Sequence, residues 1–458
     1  MIRVSNLIFR YTSLPEPSLR ISDLSIPEGE CLVLCGKSGS GKTSFTRLLN
    51  GLIPEYFEGE YSGDINVFGL VPGRDSIEAF SKLTSTVFQN PASQFFYRKT
   101  EQELAFSCEN QGLPPQSICE RLNETAAFFH LQSLMDQDLL SASGGEQQRT
   151  ALASSQMQSP KLLILDEPTA NLDAEGVKMV RNYLSKLKAR GVTIVIAEHR
   201  LDYLENLGDR YLYFEKGEIA HCWSQEEWLD LTNEDRKKFG LRGLHLELKQ
   251  FSEEDSCLLG LSTKRLQLRN NKVNLGQIAD LHFPKNCITA LVGPNGIGKS
   301  TLAKILSGIE TSDGDINFGK KTLSPLERLK QSAYVMQNVR LQLFSDSVRK
   351  EILLGNSKTA DFKQVVEQLG LSQLLDRHPI SLSGGEQQRV IIANALLSNK
   401  KIIIFDEPTS GLDYEQMLSF SKLLQELKSP ERVIIVITHD LELINEACQQ
   451  IRFIRKVP

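Results

Sequence analysis

Two stretches of this chain space glycines, a lysine and hydroxyls as a phosphate cradle requires. They are Gly36-Lys37-Ser38-Gly39-Ser40-Gly41-Lys42-Thr43-Ser44 and Gly293-Pro294-Asn295-Gly296-Ile297-Gly298-Lys299-Ser300-Thr301. Such glycines let backbone N–H groups converge on anionic oxygens at a helix N-terminus. Lys42 and Lys299 would reach the β- and γ-phosphates of a nucleotide, and Thr43 and Ser300 would ligate Mg²⁺. Two further stretches, Leu162-Leu163-Ile164-Leu165-Asp166-Glu167 and Ile402-Ile403-Ile404-Phe405-Asp406-Glu407, read as buried strands ending in two acids. The carboxyl end of a buried strand is the usual ligand crevice of an open α/β sheet. There the aspartate suits Mg²⁺ and the glutamate suits a general base acting on water.

The same residues return in the same order. Ser143-Gly144-Gly145-Glu146-Gln147-Gln148-Arg149 recurs 240 residues on as Ser383-Gly384-Gly385-Glu386-Gln387-Gln388-Arg389. Asp166-Glu167-Pro168-Thr169 recurs as Asp406-Glu407-Pro408-Thr409, and His199 as His439, at the same offset. Upstream the offsets are 257 for Gly36 and Gly293 and 248 for Gln89 and Gln337. The first half is therefore 17 residues longer between its glycine loop and Ser143. A period near 240 residues signals two domains, not a solenoid of short repeats.

The elements that must carry these residues read as α/β in each half. Leu32-Val33-Leu34-Cys35 reads as a strand entering the glycine loop, with a helix from Lys42. Lys161 to Leu165 and Gly191 to Ala197 lack polar alternation, as central parallel strands do. Leu104, Leu122, Phe128 and Leu131, set among polar residues between Gln89 and Ser143, suggest a small helical insertion. The expected organisation is a domain over 1–223, a linker over 224–257 and a second domain over 258–458. The linker holds nine acidic and five basic residues, and Ser224-Gln225-Glu226-Glu227 opens like a capping box.

Composition narrows the function classes. At 458 residues, 40% of them hydrophobic, the chain can bury two or three ordinary cores. No apolar run approaches the ~18 residues that cross a bilayer, and the N-terminus shows no secretory leader pattern. A net charge of −5 argues against nucleic acid as the main partner. The eight cysteines are scattered without a Cys-x-x-Cys pair, which argues for a reducing cytoplasm and against a cysteine metal site.

Ser143-Gly144-Gly145-Glu146-Gln147 and Ser383-Gly384-Gly385-Glu386-Gln387 resemble the signature motif of the ATP-binding cassette (ABC) ATPases. The resemblance covers nearly all the chain outside the linker. It implies two P-loop NTPase domains in tandem, each with an α/β core and a helical subdomain, that bind ATP with Mg²⁺ and hydrolyse ATP. Gln89 and Gln337 match its Q-loop, which joins the catalytic and Mg²⁺-binding groups. Asn171-Leu172-Asp173 and Gly411-Leu412-Asp413 match its D-loop. His199 and His439, each 32 residues beyond its glutamate, match the histidine that contacts the γ-phosphate. The family also implies head-to-tail pairing. One site would join Lys42, Gln89, Asp166, Glu167 and His199 to Ser383 and Gly385, and the other Lys299, Gln337, Asp406, Glu407 and His439 to Ser143 and Gly145.

Val87-Phe88-Gln89-Asn90-Pro91-Ala92-Ser93-Gln94-Phe95-Phe96 resembles the Q-loop of the energy-coupling-factor and cobalt-type importers. The second half keeps Gln337-Asn338 and Gln342-Leu343-Phe344 but lacks the proline. The resemblance implies a motor on the cytoplasmic face of the cell membrane, partnered by an integral membrane scaffold and a substrate-binding membrane subunit. Phe95, Phe96 and Tyr97 are expected to be exposed at the docking groove. Rival readings are a sugar-type importer ATPase and a soluble tandem ATPase acting on ribosomes or DNA. The linker's net charge of −4 and the lack of cysteine pairs count against the latter. Family members commonly stack the adenine on an aromatic residue about 25 residues before the P-loop. Tyr11 stands there in the first half and Leu268 in the second, so the Lys42 site is expected to bind ATP more tightly.

Overall fold

The computed structural model describes the chain except residues 171, 252–259, 271–272, 357–360 and 457–458. Asn171 of the expected D-loop, Cys257 and the expected boundary at 257/258 therefore lie outside the described residues. Contacts along the chain divide it into two compact units, Met1–His245 with Gly411–Glu415, and Leu246–Ser410 with Gln416–Pro458.

In the first unit the strands are β1 (Ile2–Tyr11), β2 (Leu19–Ile26), β3 (Cys31–Gly36), β4 (Gly59–Val67), β5 (Thr84–Val87), β6 (Leu162–Asp166), β7 (Thr193–Ala197), β8 (Arg210–Glu215) and β9 (Glu218–Ser224). They form one mixed sheet in the order β4-β1-β2-β9-β8-β3-β7-β6-β5. Its catalytic half, β8-β3-β7-β6-β5, is parallel. The helices are α1 (Lys42–Leu49), α2 (Ile77–Leu83), α3 (Thr100–Asn110), α4 (Pro115–Phe128), α5 (Gly144–Gln158), α6 (Ala174–Ala189), α7 (Gln225–Asp230) and α8 (Asn233–Lys238).

Burial on both faces explains why the central strands are apolar without alternation. Leu32 and Leu34 of β3 pack with Phe45 and Leu48 of α1. Val33 and Cys35 point the other way, into a core shared with Tyr183 and Leu184 of α6. The expected helical insertion is α3 and α4. Within the stretch read as a linker, α7 begins with the capping box of Ser224 and Glu227. The α7 residue Trp228 is buried and stacks on Tyr211 of β8, centroids 4.2 Å apart.

The second unit repeats the catalytic half. Its strands are β10 (Gly260–Lys264), β11 (Gln267–Asn270), β12 (Val273–Gln277), β13 (His282–Pro284), β14 (Cys287–Val292), β15 (Asp315–Phe318), β16 (Lys321–Thr322), β17 (Ser332–Val335), β18 (Ile402–Asp406), β19 (Val433–Ile437) and β20 (Gln450–Phe453). A parallel sheet runs β17-β18-β19-β14-β20, with smaller sheets β13-β10-β15-β16 and β11-β12. The helices are α9 (Lys299–Ser307), α10 (Pro325–Gln331), α11 (Val348–Leu353), α12 (Phe362–Gln368), α13 (Gly384–Leu397), α14 (Tyr414–Glu426) and α15 (Leu441–Ala447). No described helix is long and apolar enough to cross a membrane.

Candidate functional site

Each glycine loop joins a central strand to a helix, β3 to α1 and β14 to α9. Gly39 and Gly41 take φ of 76° and 109°, and Gly296 and Gly298 take 73° and 107°. Those angles belong to the left-handed region that glycine adopts without steric cost. The turn carries each lysine back over its own loop. Lys42 Nζ donates to the carbonyls of Gly36 (2.8 Å) and Lys37 (2.9 Å). Lys299 Nζ donates to those of Gly293 (2.7 Å) and Pro294 (3.2 Å). Burial lowers the pKa of Lys42, and an anion placed against it would favour its charged form.

The acids stand where the strands end. In the first unit Thr43 Oγ1 donates to Asp166 Oδ2 at 3.0 Å. Thr43 and Asp166 make a pair of hard oxygen donors beside the cradle and fit Mg²⁺. Among the described residues no group of three or more His, Cys, Asp or Glu is placed to hold a metal. A divalent ion here would therefore draw on one hydroxyl and one carboxylate, with phosphate oxygens and water completing its shell.

Glu167 and Glu407 occupy a backbone conformation rare for side chains larger than glycine, with φ of 49° and 46°. Each amide is tied to the neighbouring strand, Glu167 N–H to Ala197 (2.8 Å) and Glu407 N–H to Ile437 (2.9 Å). Backbone strain of this kind persists where the surroundings over-determine it, often at functional sites. Burial pushes both carboxyls up to about 7. A carboxylate titrating near neutral pH is matched to general-base work. Gln89 Nε2 donates to Glu167 Oε2 at 2.8 Å, so the Q-loop glutamine and the glutamate meet in the first unit.

His199 Nε2 lies 3.5 Å from Glu167 Oε1. That is beyond a good hydrogen bond, and this buried nitrogen has no partner among the described residues. Burial pushes His199 down to about 3, so the ring is neutral near pH 7 and the contact is not an ion pair. An orphaned buried polar atom costs free energy until it is satisfied, and a phosphate oxygen would satisfy it. In the second unit His439 Nε2 lies 2.9 Å from Lys299 Nζ and 3.8 Å from Glu407 Oε1.

The signature serines cap helices. Ser143 begins α5 and Ser383 begins α13, each in a reciprocal capping box with Glu146 or Glu386. Tyr11 Oη lies 3.0 Å from Ser44 Oγ and accepts from Arg47 Nη1 (3.3 Å), beside the P-loop helix. Leu268 is 0% exposed within the second unit's core, so it offers no surface to a base. Phe95 differs from expectation. It is partly buried against the first unit's core, whereas Phe96 is 77% exposed.

Three contacts escaped the sequence reading. Tyr334 Oη donates to Asp406 Oδ2 at 2.7 Å. Thr169 Oγ1 donates to buried Glu198 at 3.0 Å, and Thr409 Oγ1 to Asp440 at 2.7 Å. The repeat conceals the latter two, because the acid precedes its histidine in one half and follows it in the other. Burial pushes Glu198 up to about 8.

A family model for the ABC transporter matches residues 19–170 and 277–410. A putative ABC transporter ATP-binding protein of Treponema denticola is 39% identical over 464 residues, covering 98% of this chain and 94% of the relative. A putative HMP/thiamine import ATP-binding protein of Bacillus subtilis is 29% identical over 481 residues, covering 97% and 88%. Among solved structures, an RNase-L inhibitor matches 98% of this chain and 88% of its own at 23% identity, with a TM-score of 0.64, a likeness of fold. With two nucleotide cradles, two acid pairs and two signature helices in one polypeptide, the chain belongs to the ABC transporter ATPase family as a tandem of two ATP-hydrolysing cassettes.

Proposed function

We propose that the chain is the motor of a membrane importer of the energy-coupling-factor type. It works on the cytoplasmic face of the membrane with an integral scaffold subunit and a substrate-binding membrane subunit. The observation that carries the reading is the flank beyond the Q-loop glutamine. Phe96 is 77% exposed in the first unit and Phe344, 248 residues on, is 80% exposed in the second. A large bare aromatic costs solvation and marks an interaction site. The Asn-Pro-x-x-Gln pattern around Phe96 and the likeness to a putative import ATPase support the same reading.

In this function ATP and Mg²⁺ are held by the cradle, threonine or serine, and aspartate of each cassette. Lys42 and Lys299 fix the phosphates. Glu167 and Glu407 take a proton from the attacking water, and His199 and His439 sense the γ-phosphate. Closure around ATP and opening after hydrolysis would drive the membrane subunits.

Substituting Phe96→Asp and Phe344→Asp together tests the docking surface. Association with membranes of the source cell is expected to be lost while ATP binding persists. Unchanged membrane association would exclude this flank as the docking site.

A further inference from the structure

The exposed phenylalanines stand on a loop that is tied down identically in both units although its sequence has diverged. In the first unit Glu103 of α3, 3% exposed, accepts the backbone N–H of Phe96 (2.8 Å) and of Tyr97 (2.9 Å) on Oε2. In the second unit Glu351 of α11, 3% exposed, accepts those of Phe344 (2.9 Å) and Ser345 (2.6 Å). Neither glutamate has an ion pair among the described residues. A second tie lies at the other end of the loop. Gln94 Oε1 accepts the N–H of Phe88 (3.0 Å), and Gln342 Oε1 that of Met336 (2.9 Å). Every member of the first set is 248 residues from its counterpart. The stretch between the ties reads Asn-Pro-Ala-Ser in one half and Asn-Val-Arg-Leu in the other.

Burying a carboxylate without a cation is unfavourable unless hydrogen bonds replace its water. An apolar residue would fill the same space at less cost, so two such carboxylates at matching positions point to a role in holding the loop. What they hold is a ring exposed at its tip. In the first unit Phe96 also leans on Phe106 of α3, centroids 4.9 Å apart. At the loop's other end Gln89 follows Phe88 directly and donates to Glu167.

We propose that Glu103 and Glu351 are positioning residues. Each holds its exposed phenylalanine rigid against the helical insertion, so that a displacement of the docked ring passes along a loop closed by Gln94 or Gln342 to the Q-loop glutamine. This rests on the docking reading above. The glutamates act through the loop's backbone; they make the lever stiff.

The test compares Glu103→Ala/Glu351→Ala, the conservative Glu103→Gln/Glu351→Gln, and Phe96→Asp/Phe344→Asp in the full chain. Two readouts are taken. One is amide exchange of residues 94–99 by mass spectrometry. The other is the ratio of ATPase rate with inverted membrane vesicles of the source cell to the rate without them. Alanine is expected to speed exchange of 94–99 roughly tenfold or more and to abolish the stimulation. Glutamine, which keeps an acceptor of the same shape, restores most of both and guards against a folding defect. Parental exchange in the alanine variant, or fast exchange with parental stimulation, overturns the positioning role. If Phe96→Asp/Phe344→Asp itself keeps parental stimulation, the docking reading has failed and this inference with it.

Discussion

In the first unit Thr43 reaches Asp166, Gln89 reaches Glu167, and His199 Nε2 has no hydrogen-bond partner among the described residues. In the second, Tyr334 takes Asp406 and Lys299 sits against His439. The catalytic residue types are the same at both sites, and the wiring between them differs. Two neighbouring positions account for much of this. Tyr334 stands where the first half has Thr86, which is too short to reach the aspartate and instead accepts on its hydroxyl from Asn50 Nδ2 at 3.2 Å. Asn295 stands where the first half has Ser38, and its side chain accepts from Lys299 at 3.1 Å. Matching motifs thus fix the chemistry available at a site, while residues between the motifs set how its groups are engaged.

The largest effect should come from removing what the sites share. Glu167→Gln with Glu407→Gln is expected to lower turnover by about 10²–10⁴-fold and leave nucleotide binding intact, read by phosphate release and titration calorimetry. The single substitutions divide the turnover between the sites. A double variant near the parent rate would remove both glutamates from the mechanism.

The pH profile follows with its sign. The glutamates act as ionised bases, and burial raises them from 4.5 to about 7. Turnover should therefore rise with pH through about 7, and fall roughly tenfold per pH unit below it. His199, pushed down to about 3, adds no step between pH 5 and 9. A profile flat down to pH 5 would contradict the raised glutamates.

Tyr334→Phe sharpens the contrast itself. A hydrogen bond to an ionised group contributes about 1.5–3 kcal/mol, and only part of that opposes a metal, since Asp406 keeps its second oxygen. In a Lys42→Ala background, Mn²⁺ binding with ATP at the second site should tighten about threefold to tenfold, read by electron paramagnetic resonance. Unchanged Mn²⁺ affinity would reduce the tyrosine to a packing residue.

The smallest effect concerns adenine. Losing a stacked ring costs roughly 0.5–1.5 kcal/mol, about 2- to 13-fold in affinity. Tyr11→Leu in a Lys299→Ala background should weaken ATP binding by that factor, measured by fluorescence titration. Leu268→Tyr in the Lys42→Ala background should not supply the missing ring. Leu268 is buried, and overpacking such a site costs about 1–3 kcal/mol. Equal affinities of the Lys42→Ala and Lys299→Ala variants would dissolve the comparison.

Residue type and spacing alone determined the two cassettes, their central parallel strands, the loops that carry Lys42 and Lys299, and the acids at the ends of β6 and β18. Those features depend on local geometry. A glycine loop between strand and helix, or an apolar run ending in two acids, has few ways to fold. The exposure of Phe96 against the burial of Phe95, the loss of Leu268 into a core, the reach of Tyr334 to Asp406 and the ties from Glu103 and Glu351 were decided by tertiary structure. Each depends on which face a side chain takes once strands and helices pack, or on partners far along the chain such as Asp406, 72 residues from Tyr334. Motif spacing carries no record of distances across a fold, and only packing sets them.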